Sequence, residues 1–287
     1  VLAAQDGSDG AGEAAQRLMS VMTMIFSVAP AVAPIVGGWI HVWFGWRAVF
    51  ALMGLLALAL LLTCLWNLPE THPPEKRVAL DVRSLAAAFW QVAADRGFLL
   101  LALSSACSIS TMLVYVASAP AVVLDHWKLG ETQFGWLFVP MIGGMMIGAW
   151  LSGRMAGRIT ARRQVLTGFA VAFAFAVLGS VAQLPGEPLP VLVQQLALAG
   201  LALGIQIGSP VLVLAMLDRF PQLRGTAASV QGFVSLLIAT TVMGFVAPRL
   251  QASMLWIAGF GVLGIGMGFL CWRTAMQNPQ GIEPTAH

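Results

Sequence analysis

Charge is scarce in this sequence. Only 9% of its 287 residues are Asp, Glu, Lys or Arg, against 59% apolar. The 12 acidic residues are Asp6, Asp9, Glu13, Glu70, Glu75, Asp81, Asp95, Asp125, Glu131, Glu187, Asp218 and Glu283, and none lies in the middle of a long apolar run. His41, His72, His126 and His287 sit at the ends of such runs, between them or in the tail. A proton relay through a bilayer needs carboxylates or imidazoles at depth, and these residues build none. Cysteine is rare as well. Cys64, Cys107 and Cys271 are each embedded in an apolar run, with no Cys-x-x-Cys pair and no Cys/His cluster. That excludes a disulfide framework and gives no metal site. There is no P-loop, no Gly-x-Ser-x-Gly and no His-Glu-x-x-His, so no catalytic signature points to an enzyme.

What the chain does have is apolar length. Eight stretches, at about 19–41, 47–68, 98–123, 134–152, 165–184, 190–216, 226–247 and 252–272, are each long enough to cross a bilayer as a helix, which takes ~20 residues. The mean hydropathy of +0.84 is outside the range of soluble domains. The positive charges alternate between the gaps. One set holds Arg17, Lys76, Arg77, Arg83, Arg96, Arg154, Arg158, Arg162, Arg163, Arg219, Arg224 and Arg273; the other holds only Arg47, Lys128 and Arg249. Twelve against three is the positive-inside pattern. It predicts an all-α polytopic membrane protein with both ends in the cytoplasm. The basic residues then serve orientation, and no nucleic-acid partner is needed to explain the net charge of +3.

The chain opens at Val1, and residues 5–18 are polar and Gly-rich; we expect a cytoplasmic loop there, in a polypeptide lacking its N-terminal part. Residues 69–97 are the one candidate boundary, with two spans before and six after. Pro69, Pro73 and Pro74 break helix. From Leu80 to Arg96, apolar Leu80, Leu85, Phe89 and Val92 alternate with charge, predicting a short amphipathic helix at the membrane surface.

The spans differ among themselves. The second is apolar on every face, as a lipid-exposed helix is. The third carries Ser104, Ser108, Thr111, Tyr115 and Ser118 at spacings of 4, 3, 4 and 3, one face of one helix. Such hydroxyls either bond back to their own backbone or line a solvated cavity. The sixth places Gln195, Gln206 and Ser209 on one face and Gly200, Gly204 and Gly208 on another. The glycine row permits close packing; the glutamines either line a pore or bond between helices. The first span has Pro30 and Pro34 four apart, which bends a helix.

The segment from Ala29 to Gly38 resembles the antiporter motif Gly-x-x-x-Gly-Pro-x-x-Gly-Gly of the major facilitator superfamily. Pro34, Gly37 and Gly38 match it, and Ala29 and Ala33 replace its first two glycines. Residues 45–50 (GWRAVF), 68–71 (LPET), 115–120 (YVASAP), 133–135 (QFG) and 224–229 (RGTAAS) resemble the bicyclomycin-resistance type of drug:proton antiporter. The arginines of 153–163 sit where that superfamily has a basic loop between helices eight and nine.

The resemblance implies a major facilitator fold, with helices 5 to 12 present of an expected twelve. Residues 1–68 would end the N-terminal half, 69–97 would be the linker, and 98–287 would be the C-terminal six-helix half. Helices 6, 9 and 12 would form the rim, and helices 7 and 10 would border a central cavity. The implied function is proton-coupled efflux of drug-like amphipathic molecules by alternating access, in a bacterial inner membrane. The proton gradient would supply the energy, with no cofactor and no metal, and the coupling residues would lie in the absent helices. Ser108, Thr111, Tyr115, Gln195, Gln206 and Gln231 are the expected cavity contacts. Pro34, Gly37 and Gly38 shape the kinked helix, and Arg154, Arg158 and Asp218 form a cytoplasmic gate. The expected partners are one small-molecule substrate and the bilayer, the chain acting as a monomer. Two other readings stay open: an eight-span membrane scaffold or enzyme, and a non-functional gene remnant.

Overall fold

The computed structural model describes residue 18 and residues 21–22, 32–33, 36–67, 81–130, 132–183 and 190–277. Every regular element among them is helical. A helix at 36–44, α1, turns sharply at Gly45 into α2 (Trp46–Asn67). Gly45 has φ of +79°, a conformation in which a side chain is strained. Then follow α3 (Val82–Ala93), α4 (Arg96–Ala117), α5 (Gly135–Met155), α6 (Ala161–Val181) and α7 (Val191–Asp218). Next come α8 (Arg224–Thr241), the short α9 (Ala247–Leu250) and α10 (Met254–Gln277). Wider π-helical turns at Ala121–His126 and Val242–Val246 extend α4 and α8. Seven helices among the described residues are long and apolar enough to span a membrane. Most of the first apolar stretch, 19–41, lies outside the described residues.

Local chemistry sets the helix starts. Asp81 caps α3, accepting from the N–H groups of Arg83 (3.1 Å) and Ser84 (3.2 Å). Asp95 caps α4 through the Phe98 N–H (2.6 Å), and Thr160 caps α6 through that of Arg163 (3.4 Å). Each satisfies a donor that the first turn leaves orphaned.

Helix α7 runs between α5 and α6, and glycine makes both seams. On one side, a Cβ at Gly144 or Gly148 would run into the carbonyl oxygens of Ala199 or Leu203. On the other, one at Gly204 would strike the backbone of Ala172. Between helices already out of water, dispersion from such close approach replaces the hydrophobic drive. Helix α10 packs on α4 and α6, while α8 rests on α4 and α3 and leaves Phe233, Leu236 and Leu237 exposed. No side chain of α2 is buried.

Candidate functional site

The expected cavity residues separate into two kinds. On α4, the Ser108 hydroxyl donates to the Ser104 carbonyl (2.9 Å) and the Thr111 hydroxyl to the Ser108 carbonyl (2.7 Å). Both residues are buried against α10: a Cβ at Gly264 would clash with the Thr111 methyl, and one at Gly268 would sit 2.9 Å from the Ser108 Oγ. The structure therefore places Ser108 and Thr111 in a helix seam rather than on an open cavity wall. A small void beside them, of about 20 Å³, is lined by Ser105, Ser108, Ser209, Phe169 and Ile265 among others. It has room for one water and none for a drug-sized molecule. Tyr115 packs in the apolar core.

On α7, Gln195 donates to the Trp136 carbonyl of α5 (2.8 Å) and so joins two helices. Gln206 is different. It is 8% exposed, its Cβ lies beside Gly148, and its amide makes no hydrogen bond among the described residues. Pro210, four residues on, lacks the N–H that would have bonded the Gln206 carbonyl. An amide left without protein partners in the spanning region needs water or ligand. Gln231, half-buried on α8, is also without a hydrogen-bond partner among the described residues. Of the six expected contacts, Gln206, Gln231 and the Tyr115 hydroxyl have no hydrogen-bond partner among the described residues. Of the residues expected to shape the first helix, Gly37 and Gly38 belong to α1, and Pro34 lies outside the described residues.

The expected gate is wired differently. Asp218 pairs with Arg224 (2.6 Å), fully at the surface. The Arg154 guanidinium lies over the Trp150 ring, 4.1 Å from its centroid. Arg158 has no ion pair among the described residues. Arg154, Arg158 and Asp218 thus form no mutual bridge here; the partner of Asp218 is Arg224, six residues along the same chain segment.

Two polar constellations escaped the sequence reading. Arg219, at the end of α7, grips the Asp95 carboxylate ahead of α4 with two contacts (2.5 and 3.2 Å). The guanidinium occupies the space that a side chain at Gly97 would fill, and Phe220 stacks edge-on against Phe98. Burial alone would raise the Asp95 carboxyl, but the Arg219 hydrogen bonds and charge and the Phe98 N–H together hold it below the usual carboxylate range. The second is Gln164, 1% exposed near the start of α6. Its Nε2 donates to the Ser152 Oγ of α5 (2.8 Å) and the Ile207 carbonyl of α7 (3.1 Å). The signals were faint: Asp95 was visible as a cap position, and Gln164 sits just before a span as drawn from hydropathy. Among the described residues, no group of three His, Cys, Asp or Glu is placed to hold a metal.

A spanning bundle sealed by glycine and carrying isolated amides at depth fits a transport fold, and comparison with known proteins agrees. The family model described as Major Facilitator Superfamily matches residues 11–239. A Haemophilus influenzae protein named bicyclomycin resistance protein homolog is 28% identical over 240 residues, covering 80% of this chain and 58% of the relative. The multidrug transporter MdfA of Edwardsiella ictaluri is 25% identical over 229 residues, 78% of this chain and 54% of its own. The multidrug resistance protein MdtM of Escherichia coli K12 is 28% identical over 131 residues, 46% and 32% respectively. The chain spans little more than half the length of the first two. With the match running through six of its spanning helices and both glycine seams, this chain belongs to the Major Facilitator Superfamily.

Proposed function

We propose that this chain is part of a transporter that expels drug-like amphipathic molecules from a bacterial cell in exchange for protons, by alternating access. The observation that carries the reading is the similarity, over about four-fifths of the chain, to proteins named for drug resistance. Substrate would meet Gln206 and Gln231, two amides with unused donors and acceptors in an apolar, permissive wall. The α5–α6–α7 unit, locked by glycine contacts, moves as one body, as rocking of one bundle against another requires. Positive-inside asymmetry supports both ends facing the cytoplasm of an inner membrane. No metal or organic cofactor enters the scheme. No carboxylate lies at mid-span in this chain, so the proton is carried by groups outside it.

The test is efflux of a fluorescent cationic dye from cells lacking their own pumps. Cells carrying the full gene product should retain less dye, and a protonophore should abolish the difference. Extrusion that persists after the gradient is collapsed would sink the proton-coupled reading. Unchanged dye retention in expressing cells would sink drug efflux itself.

A further inference from the structure

On the face that carries most of the positive charge, two arginines share one hollow and have no counter-ion among the described residues. Arg162, in the first turn of α6, and Arg273, near the end of α10, line a surface cavity of about 290 Å³ together with Trp272, Met276 and Gln277. Neither guanidinium makes an ion pair or hydrogen bond among the described residues. The carboxylates described at that face are committed elsewhere: Asp95 to Arg219, Asp218 to Arg224 and Asp81 to the cap of α3. Helices α6 and α10 contribute no acidic residue at all. Two cations converging on one hollow repel each other, and the positive end of the α6 dipole adds to the same field.

We propose that this hollow binds the phosphate of an anionic phospholipid headgroup. Arginine suits the task, since its planar fork takes phosphate oxygens in pairs. The walls choose lipid over a dissolved anion. Met276 and the buried Trp272 form an apolar side, and Trp272 packs with tilted rings against Phe269 and Phe169 deeper in the bundle. The cavity lies between the ends of two spanning helices, on the flank that meets lipid, where Leu270 is 55% exposed. A phosphate seated between the arginines would place its acyl chains along that flank. Basic pockets between helices on the cytoplasmic side are favourable places for anionic headgroups. The inference needs only the membrane placement of the chain, and no part of the drug-efflux reading.

Native mass spectrometry of the full gene product in detergent, given equal amounts of phosphatidylglycerol and phosphatidylcholine, tests it. One phosphatidylglycerol should be retained in preference. The double variant Arg162→Gln/Arg273→Gln should bind it about thirtyfold more weakly, and each single variant about fivefold, since each surface arginine contributes roughly equally. Arg83→Gln, an exposed arginine on α3, should leave binding unchanged. Should the double variant fail to fold, the single variants carry the comparison. Equal retention of the two lipids would overturn the proposal, as would equal losses from Arg83→Gln and from the pocket variants. Displacement of the lipid by inorganic phosphate at comparable concentration would also overturn it, by identifying a site for soluble anions.

Discussion

Helices α2 and α7 share a leucine- and alanine-rich character and have opposite fates. Both are long, and both would be read as membrane spans. Yet no residue of α2 is buried, while α7 buries two-thirds of its apolar window. In water, hydrophobicity decides which helix goes inside. In lipid, the tails are as apolar as leucine and the criterion disappears. What separates the two helices here is the company each keeps: α7 packs between α5 and α6, whereas α2 has no helix packed against it among the described residues of this chain, which spans little more than half the length of its relatives. Helix α7 has Gly200, Gly204 and Gly208 on one side, facing α6, and receives Gly144 and Gly148 of α5 on another. It also carries Gln195, which needs a partner and finds one on α5. Helix α2 has a single glycine, Gly54, with nothing near it, and its Thr63 hydroxyl merely bonds back to Ala59.

That contrast is breakable by substitution. The largest effect belongs to Gly144→Leu, whose side chain would be driven into the Ala199 backbone. We expect loss of the folded protein, or destabilisation of at least about 3 kcal/mol, read as the thermal unfolding midpoint in detergent. Gly54→Leu on α2 should change it by roughly 0.5 kcal/mol or less. Comparable losses at the two positions would dissolve the distinction between seam and rim.

A middle-sized effect is expected from Gln164→Leu. It removes the hydrogen bonds that the amide gives to the Ile207 carbonyl and the Ser152 hydroxyl where three helices meet, which costs about 1–3 kcal/mol. The same melting experiment reads it. No change would mean that water reaches the α5–α6–α7 junction.

Asp95→Asn sharpens the comparison through pH. The carboxyl of Asp95 is held below its ordinary value by Arg219 and the Phe98 N–H against the opposing pull of burial. A carboxylate with a depressed folded-state pKa stabilises the fold above its unfolded pKa, about 4. That contribution is lost as pH falls through the lower, folded value. The variant should therefore melt below wild type at neutral pH, by about 1–2 kcal/mol, and the gap should close in acid. A variant that melts with wild type at every pH would show that Asp95 acts as a cap alone, since asparagine caps a helix about as well as aspartate.

Much of this was legible in the residues. Long apolar runs and alternating arginines announce a multi-pass membrane protein, because hydrocarbon admits backbone only as hydrogen-bonded helix. The glycine row of the sixth span announced a packing face, and the structure supplies its partner, Ala172 of α6. Side-chain assignments were less readable. Ser108 and Gln206 looked alike as polar residues on cavity-facing helices, yet one is satisfied by its own helix and the other is not. Azimuth along a single helix cannot say which neighbour occupies that azimuth.

The same division holds for charge. Sequence alone divided the lysines and arginines into two sets, twelve against three, since that depends only on their order between spans. Tertiary structure decided which arginine meets which carboxylate. Asp218 had Arg154 and Arg158 as candidates and took Arg224, while Arg219 crossed 124 positions of sequence to reach Asp95. An ion pair is a matter of a few ångströms, and only the packing of α4 against α7 brings those two groups that close.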